Sequence, residues 1–154
     1  MEGEVLLVGI AQLAIVTAGF AAVATGLRGQ ALTPSQSVRL RAIVSTSFNV
    51  AFESLVPLIA FYWLRDTRAA VVTASALAAV NVAVVMIIRT PQLARAWALR
   101  ARAGQLMLVA AWSAAVLFAF TALVFGSLSG FAAALHLQLV VVATSFYTLV
   151  ASPS

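Results

Sequence analysis

The chain has 154 residues, of which 64% are apolar and 8% are charged, whereas a soluble domain carries about 25% charged residues. The absence of cysteine excludes disulfides, thiol nucleophiles and thiolate metal sites. The formal net charge of +5 comes from arginines that lie between apolar stretches. This pattern is typical of membrane topology and not of nucleic-acid binding.

Five apolar stretches fill most of the chain, at residues 5–27, 42–64, 69–88, 106–125 and 131–150. An α-helix rises ~1.5 Å per residue, so about 20 residues cross the ~30 Å hydrocarbon core of a bilayer. The sequence therefore predicts an all-α fold. We expect a polytopic transmembrane helical bundle of five spans, forming a single domain over residues 1–154.

The first stretch has one feature of a secretory signal, because Ala22 and Ala24 form an A-x-A pattern after an apolar run. The residues before the run include Glu2 and Glu4, however, and a signal peptide begins with basic residues. The apolar run also continues to Leu27. We therefore expect a retained first helix and not a cleaved signal.

The second stretch carries a polar face that recurs every fourth residue, formed by Ser45, Asn49, Glu53 and Pro57. Residues four apart lie on the same side of a helix. Glu53 is the only acid inside a predicted span. Pro57 has no N–H to donate to the carbonyl four residues back, which is that of Glu53 itself. An acid beside a freed carbonyl at mid-depth is typical of ion or proton sites in membrane proteins.

The third stretch is predicted to end at Pro91, since a proline cannot continue the helical hydrogen-bond ladder. Residues 92–103 then form a short interfacial helix rich in alanine, leucine and arginine. Arg95, Arg100 and Arg102 either anchor this helix at the interface or contact anionic lipids. Anchoring is the simpler interpretation, and lipid binding is the functional alternative.

Small residues recur every fourth position on three helices: Ala14, Ala18, Ala22 and Gly26; Ala70, Ala74 and Ala78; and Ala111, Ala115 and Ala119. Such stripes allow helix backbones to approach closely in lipid. The simpler interpretation is packing within one chain, and the alternative is an interface between copies. We expect a homo-oligomer, because five helices alone leave little room for an internal pathway.

The arginine distribution predicts the orientation, because cytoplasmic loops are enriched in basic residues. The first and third loops carry three and four arginines, against two in the second loop and none in the fourth. We therefore place the first and third loops and the C-terminus in the cytoplasm and the N-terminus outside. All nine basic residues are arginine, which together with the alanine, valine and leucine content favours a bacterial inner membrane.

Counting residues from the outer end of each stretch estimates the depth of its polar groups. Glu53 lies 11 residues and Asn81 lies 12 residues from that end, which corresponds to roughly 17–18 Å for both. Since their helices are hairpin neighbours, these two side chains are expected to meet. His136 and Gln138 are expected higher, roughly 8–11 Å from the outer end. A polar file from His136 and Gln138 down to Glu53 is the predicted pathway.

Each candidate residue also has a structural interpretation. Burying a charged carboxylate costs several kcal/mol, so Glu53 is either functional or a neutral acid hydrogen-bonded to Asn49 or Asn81 as a link between helices. For Asn49 and Asn81 packing is the better interpretation, and for His136 a hydrogen bond near a helix end. With one histidine and no cysteine, no metal site is expected.

Motifs of enzymes are absent from the sequence, which has no glycine-rich phosphate loop, HExxH or Gly-x-Ser-x-Gly pattern. We therefore expect neither catalysis nor a cofactor. Two function classes remain: a small channel or transporter that moves protons or small cations past Glu53, and a non-transporting accessory, assembly or lipid-binding subunit.

The predicted topology is tested with reporter fusions at Pro34, Asp66, Ala98 and Ser129. We expect cytoplasmic signals at Pro34 and Ala98 and external signals at Asp66 and Ser129, because arginines concentrate in the first and third loops. A cytoplasmic signal at Asp66 or Ser129 would contradict the orientation. Cleavage after Ala24 would contradict a retained first helix.

Overall fold

The computed structural model describes residues 3–27, 33–97, 101–121, 124 and 126–150, with side chains left out for part of these, chiefly 89–97 and 101–108. The described residues form five α-helices and no strand. The helices are α1 (Glu4–Gly26), α2 (Pro34–Leu64), α3 (Thr67–Trp97), α4 (Ala101–Phe120) and α5 (Leu128–Val150). The expected all-α helical bundle is therefore confirmed.

Local capping sets the ends of α2 and the start of α3. Thr33 precedes α2 and forms a capping box with Gln36, with backbone-to-side-chain distances of 3.3 and 3.0 Å. Arg65 ends α2 in the left-handed conformation, with φ 55°. The Asp66 carboxylate accepts a hydrogen bond from the Ala69 backbone N–H at 3.0 Å and so caps α3. These two residues turn the chain back and make α2 and α3 an antiparallel hairpin.

Helix α2 packs against three other helices, α1, α3 and α5. Helix α4 packs against α3 and α5 and closes the other side of the bundle. The core includes Leu7, Phe118, Phe131 and Leu135, all fully buried. The rings of Phe118 and Phe131 lie 5.3 Å apart between α4 and α5. Polar side chains on α2 can therefore face two other helices at once.

The outer surface of the bundle is apolar along the middle of the helices. Large side chains such as Phe20, Phe52, Ile87 and Val116 are each at least half exposed. In water such a surface would aggregate, whereas in lipid it is the expected exterior. Four helices (α1, α2, α3 and α5) are long and apolar enough to cross a membrane. The chain is thus compatible with a small membrane protein, and the fifth predicted span, in α4, stays a prediction.

Aromatic side chains lie at the end of α2 that faces the α2–α3 turn. Tyr62 and Trp63 are exposed and pack edge to face, with ring centroids 5.8 Å apart. The Arg65 guanidinium lies 5.1 Å from the centroid of the Tyr62 ring. Aromatic rings beside a cation are typical of the interfacial belt of membrane proteins. This end of the helix therefore suits the level of the lipid headgroups.

Helix α3 does not end at Pro91, and that prediction was wrong. The helical backbone continues through Pro91 to Trp97, and α4 begins at Ala101. A proline removes one hydrogen bond and crowds the preceding turn, but a helix tolerates this where its other turns stay paired. Of the range 92–103 predicted as a separate interfacial helix, residues 92–97 belong to α3 and residues 101–103 to α4, and residues 98–100 lie outside the described residues.

The connection between α4 and α5 lies earlier in the chain than predicted, because α4 ends at Phe120 and α5 begins at Leu128. The Gly126 N–H donates to the Thr121 carbonyl at 2.8 Å, five residues back, so α4 ends in a wide turn. Gly126 has φ +54°, and a Cβ there would lie 2.8 Å from the Arg68 Cγ. Helix α5 then begins at Leu128, three residues earlier than expected. Every position in α5 is consequently deeper than the sequence count indicated.

The small-residue stripes are used largely within the bundle. Ala70, Ala74 and Ala78 of α3 are all buried, as are Ala14 and Ala18 of α1. Packing within one chain, the simpler interpretation, therefore accounts for most of these stripes. The homo-oligomer stays a prediction.

Candidate functional site

The Glu53 carboxylate is bound by two amide side chains from two other helices. The Asn81 Nδ2 of α3 donates to Glu53 Oε1 at 2.8 Å, and the Gln138 Nε2 of α5 donates to Glu53 Oε2 at 2.7 Å. Glu53 is 3% exposed and Gln138 is 4% exposed, whereas Asn81 is half-buried. We call these three residues the carboxylate–amide triad. It joins α2, α3 and α5 at one point.

The helix lengths explain why the three side chains meet. Glu53 and Asn81 lie at similar distances from the α2–α3 turn, as the depth count predicted, and they contact across the hairpin. Gln138 was expected well above Glu53, and that estimate was wrong. Because α5 begins at Leu128, Gln138 lies roughly 15 Å along the helix at ~1.5 Å per residue, close to the level of Glu53.

The buried positions one turn from the triad are apolar. The buried residues one turn away on the three helices are Val50, Pro57, Ala78, Ala134, Leu135 and Val142. None of them carries a polar side chain that could solvate a charge. An ionised carboxylate in such a place is costly unless hydrogen bonds and a counter-charge stabilise it.

The triad supplies hydrogen bonds but no positive charge. Among the described side chains, no arginine or histidine bonds to Glu53. The described part of the chain also holds no group of three His, Asp or Glu residues that could bind a metal ion. The partners that the structure describes for the Glu53 carboxylate are therefore the two neutral amides.

Other residues predicted for the site lie apart from the triad. The Asn49 side chain is half-buried and makes no hydrogen bond to a described residue. His136 is exposed, and its Nδ1 lies 2.7 Å from the Ala132 carbonyl of its own helix. His136 and Gln138 are two positions apart in the chain, so their side chains point to different sides of α5. Of the predicted row of polar side chains, Gln138 does contact Glu53, whereas His136 does not take part.

Pro57 is buried within α2, one turn beyond Glu53. The helix continues through it to Leu64. Because proline has no N–H, the Glu53 backbone carbonyl lacks its usual helical donor. Pro57 therefore places an electron-rich carbonyl on the same residue as the buried carboxyl.

The arginines predicted to contact lipid cannot be located as side chains. Arg95 and Arg102 lie in α3 and α4, where only the backbone is described, and Arg100 lies outside the described residues. Anionic-lipid contact through Arg95, Arg100 and Arg102 stays a prediction.

Two buried serines were not singled out by the sequence. The Ser47 and Ser75 hydroxyls are buried and have no hydrogen-bond partner among the described residues. Serine is common in membrane helices, where its hydroxyl usually bonds to the preceding turn, so no sequence signal marks these two. Neither serine bonds to the triad.

Comparison of the chain with protein-family models, with curated proteins and with solved structures gives no match. The chemistry of the carboxylate–amide triad therefore carries the functional argument.

We predict that Asn81→Leu lowers the free energy of unfolding by about 1–3 kcal/mol, because it leaves a buried carboxylate oxygen without its donor. The matched control is Asn49→Leu, whose side chain has no described hydrogen bond and whose replacement should have a smaller effect. Thermal unfolding in detergent, followed by tryptophan fluorescence, is the measurement.

A double-mutant cycle isolates the interaction. In a Glu53→Leu background the effect of Asn81→Leu should shrink strongly, since removing both partners leaves no unpaired oxygen. Equal destabilisation in both backgrounds would contradict a hydrogen bond between Asn81 and Glu53.

Proposed function

We propose that the protein is a small channel or transporter of the bacterial inner membrane, in which Glu53 binds a proton or small cation in transit. The observation that carries this proposal is a buried carboxylate that accepts hydrogen bonds from two neutral amides and is bonded to no described arginine or histidine side chain. An ionisable group inside a membrane bundle is costly and marks ion or proton pathways. Neutral partners leave its charge to be balanced by the transported species.

The position of Glu53 also suits this role. The carboxyl lies near mid-depth of α2 and links the α2–α3 hairpin to α5. Binding or release of a positive charge there changes the strength of contacts between three helices at once, because hydrogen bonds to a charged group are about twice as strong as neutral ones. Such a coupling is what an alternating or gated pathway needs.

An assembly of several copies belongs to the proposal. A shallow apolar groove of about 320 Å³ opens on the surface between α3 and α4. Its walls include Ala79, Ala83, Ala115 and Ala119, small residues that allow a helix of a second copy to approach closely. A pathway formed between copies would not require an internal channel in the five-helix unit.

The second candidate is a non-transporting accessory, assembly or lipid-binding subunit. It is favoured by the saturation of both Glu53 oxygens by short hydrogen bonds. A Glu53 side chain hydrogen-bonded to both helices in this way would serve as a fixed link between them. In neither candidate does the chain act as an enzyme.

We predict that Glu53→Gln keeps the fold and abolishes pH- or cation-dependent flux in liposomes. Gln has nearly the same shape and can hydrogen-bond to both amides, but it cannot take up a proton at accessible pH. Glu53→Lys, in contrast, should impair assembly, since it places an unpaired cation among apolar residues. A folded Glu53→Gln variant with unchanged flux would end the transport-site proposal and favour the accessory subunit.

The predicted homo-oligomer is tested by native mass spectrometry of the protein released from nanodiscs. Ala83→Phe, which fills the groove, should shift the distribution towards smaller species. Ala133→Phe, at an exposed position on α5, is the matched control and should not. A monomer at high protein-to-lipid ratio for the unmodified chain would remove assembly from the proposal.

A further inference from the structure

The contacts of Glu53 leave no space for a metal ion between the carboxylate and its partners. Its two oxygens lie 2.8 Å and 2.7 Å from the amide nitrogens of Asn81 and Gln138, which is direct hydrogen-bond distance. Both nitrogens carry hydrogens that point at the carboxylate and repel a cation. In the observed arrangement the amides thus occupy the positions that a bound metal ion would take.

If both amide groups were rotated so that their oxygens faced Glu53, the site would still have too few oxygen ligands for a metal ion. The triad contains four side-chain oxygens, two on Glu53 and one on each amide. The Glu53 carbonyl that Pro57 leaves free adds one more. Hard cations such as Mg²⁺ and Ca²⁺ take about six to eight oxygens, which is more than these five. Ser54, the buried polar residue next to Glu53 in the chain, already donates its hydroxyl to the Ala51 carbonyl at 2.8 Å.

A proton, in contrast, needs no additional volume. Protonated Glu53 has one O–H that requires an acceptor and one oxygen that still accepts. The terminal torsion of a glutamine is broad and roughly two-fold, so half a turn exchanges its oxygen and nitrogen in place. After that turn, Gln138 Oε1 accepts the Glu53 O–H while Asn81 continues to donate to the other oxygen. The same two amides can therefore hydrogen-bond to Glu53 in both its protonated and its ionised form.

Gln138 is the better placed of the two amides to make this turn. It forms the shorter hydrogen bond, at 2.7 Å, and is 4% exposed. Its side-chain oxygen has no other hydrogen-bond partner among the described residues, so the turn breaks no second contact. Half-buried Asn81 lies nearer the surface. Because Gln138 is more buried than Asn81, it is the closer of the two amides to a fixed, solvent-shielded acceptor for the Glu53 proton.

No described charged or titratable side chain of α1, α3 or α5 bonds to the triad. Helix α1 offers only Glu4, in its first turn, and α3 offers Arg68 in its first turn. His136 and Tyr147 of α5 are exposed. Arg89 and Arg95 lie beyond Asn81 on α3, where side chains are not described.

We infer that Glu53 takes a proton and not a metal cation, and that Gln138 is the positioning residue that accommodates both protonation states. This inference rests on the proposed transport function and names its substrate. The reaction is the uptake of H⁺ by the carboxylate to give the carboxylic acid, and release of the same proton. No other group is consumed.

The substrate is tested with the full chain in liposomes. An imposed pH gradient in choline buffer, read by an internal pH dye, should drive proton flux that Glu53→Gln abolishes. Uptake of radioactive sodium or rubidium should not exceed that of empty liposomes. Glu53-dependent uptake of either metal ion would overturn the inference while supporting transport. Proton flux that is equal in the unmodified and Glu53→Gln proteins would instead overturn the proposed function.

The role of Gln138 is tested with Gln138→Met, which keeps the size of the side chain and removes the amide. We expect loss of proton flux although the carboxyl is retained. The infrared carbonyl band of the protonated Glu53 should move to higher frequency, because its hydrogen-bonded partner is gone. Gln12→Met, at an exposed position of α1, is the matched control and should leave both readouts unchanged. A folded Gln138→Met protein with unchanged flux and band position would overturn the positioning role.

An exchange of the two side chains keeps the test decisive if Gln138→Met does not fold. The double variant E53Q/Q138E moves the carboxyl from α2 to α5 and preserves the carboxyl–amide pair. It should fold and should regain proton flux that E53Q alone has lost. A folded double variant without proton flux would overturn the inference, because the same pair would then be unable to exchange a proton.

Discussion

The cost of burying one carboxylate constrains the rest of this bundle. Glu53 is nearly inaccessible among apolar neighbours, and each of its oxygens must find a donor. Asn81 and Gln138 provide those donors from two different helices. Their positions fix the height of α3 and of α5 relative to α2. The small alanines of α3 then allow the helices to lie close enough for these short side chains to reach.

The fold class and one half of the triad could be predicted from the sequence. Apolar stretches of bilayer length have few alternative structures, and a short hairpin places Glu53 and Asn81 at matching depths. The contact between Gln138 and Glu53 could not be predicted, because it depends on where α5 begins, and the composition does not indicate that residue. Leu128–Gly130 are not strongly apolar as a group, yet they belong to α5, and these three residues bring Gln138 down to Glu53.

Two other expectations failed because a local rule competes with the surrounding structure. Pro91 removes one helical hydrogen bond, but the turns on either side keep the helix continuous to Trp97. His136 was assigned to the same file as Gln138 on depth alone. Its position around the helix places it on the exterior, where its ring bonds to the Ala132 carbonyl. A side chain reaches the site only if it lies at the right level along the helix and also points towards it. Because apolar residues lie on every side of α5, the sequence does not indicate which face of this helix is buried.

The sequence separation within the triad has a consequence for biosynthesis. Asn81 follows Glu53 by 28 residues, whereas Gln138 follows it by 85. At 5–20 residues per second, a ribosome needs roughly 4–17 s to make the chain between Glu53 and Gln138. During that interval the α2–α3 hairpin has only one of the two donors, so Asn81 is the first partner available to the Glu53 carboxylate. The second hydrogen bond, from Gln138, forms only after α5 has been synthesised.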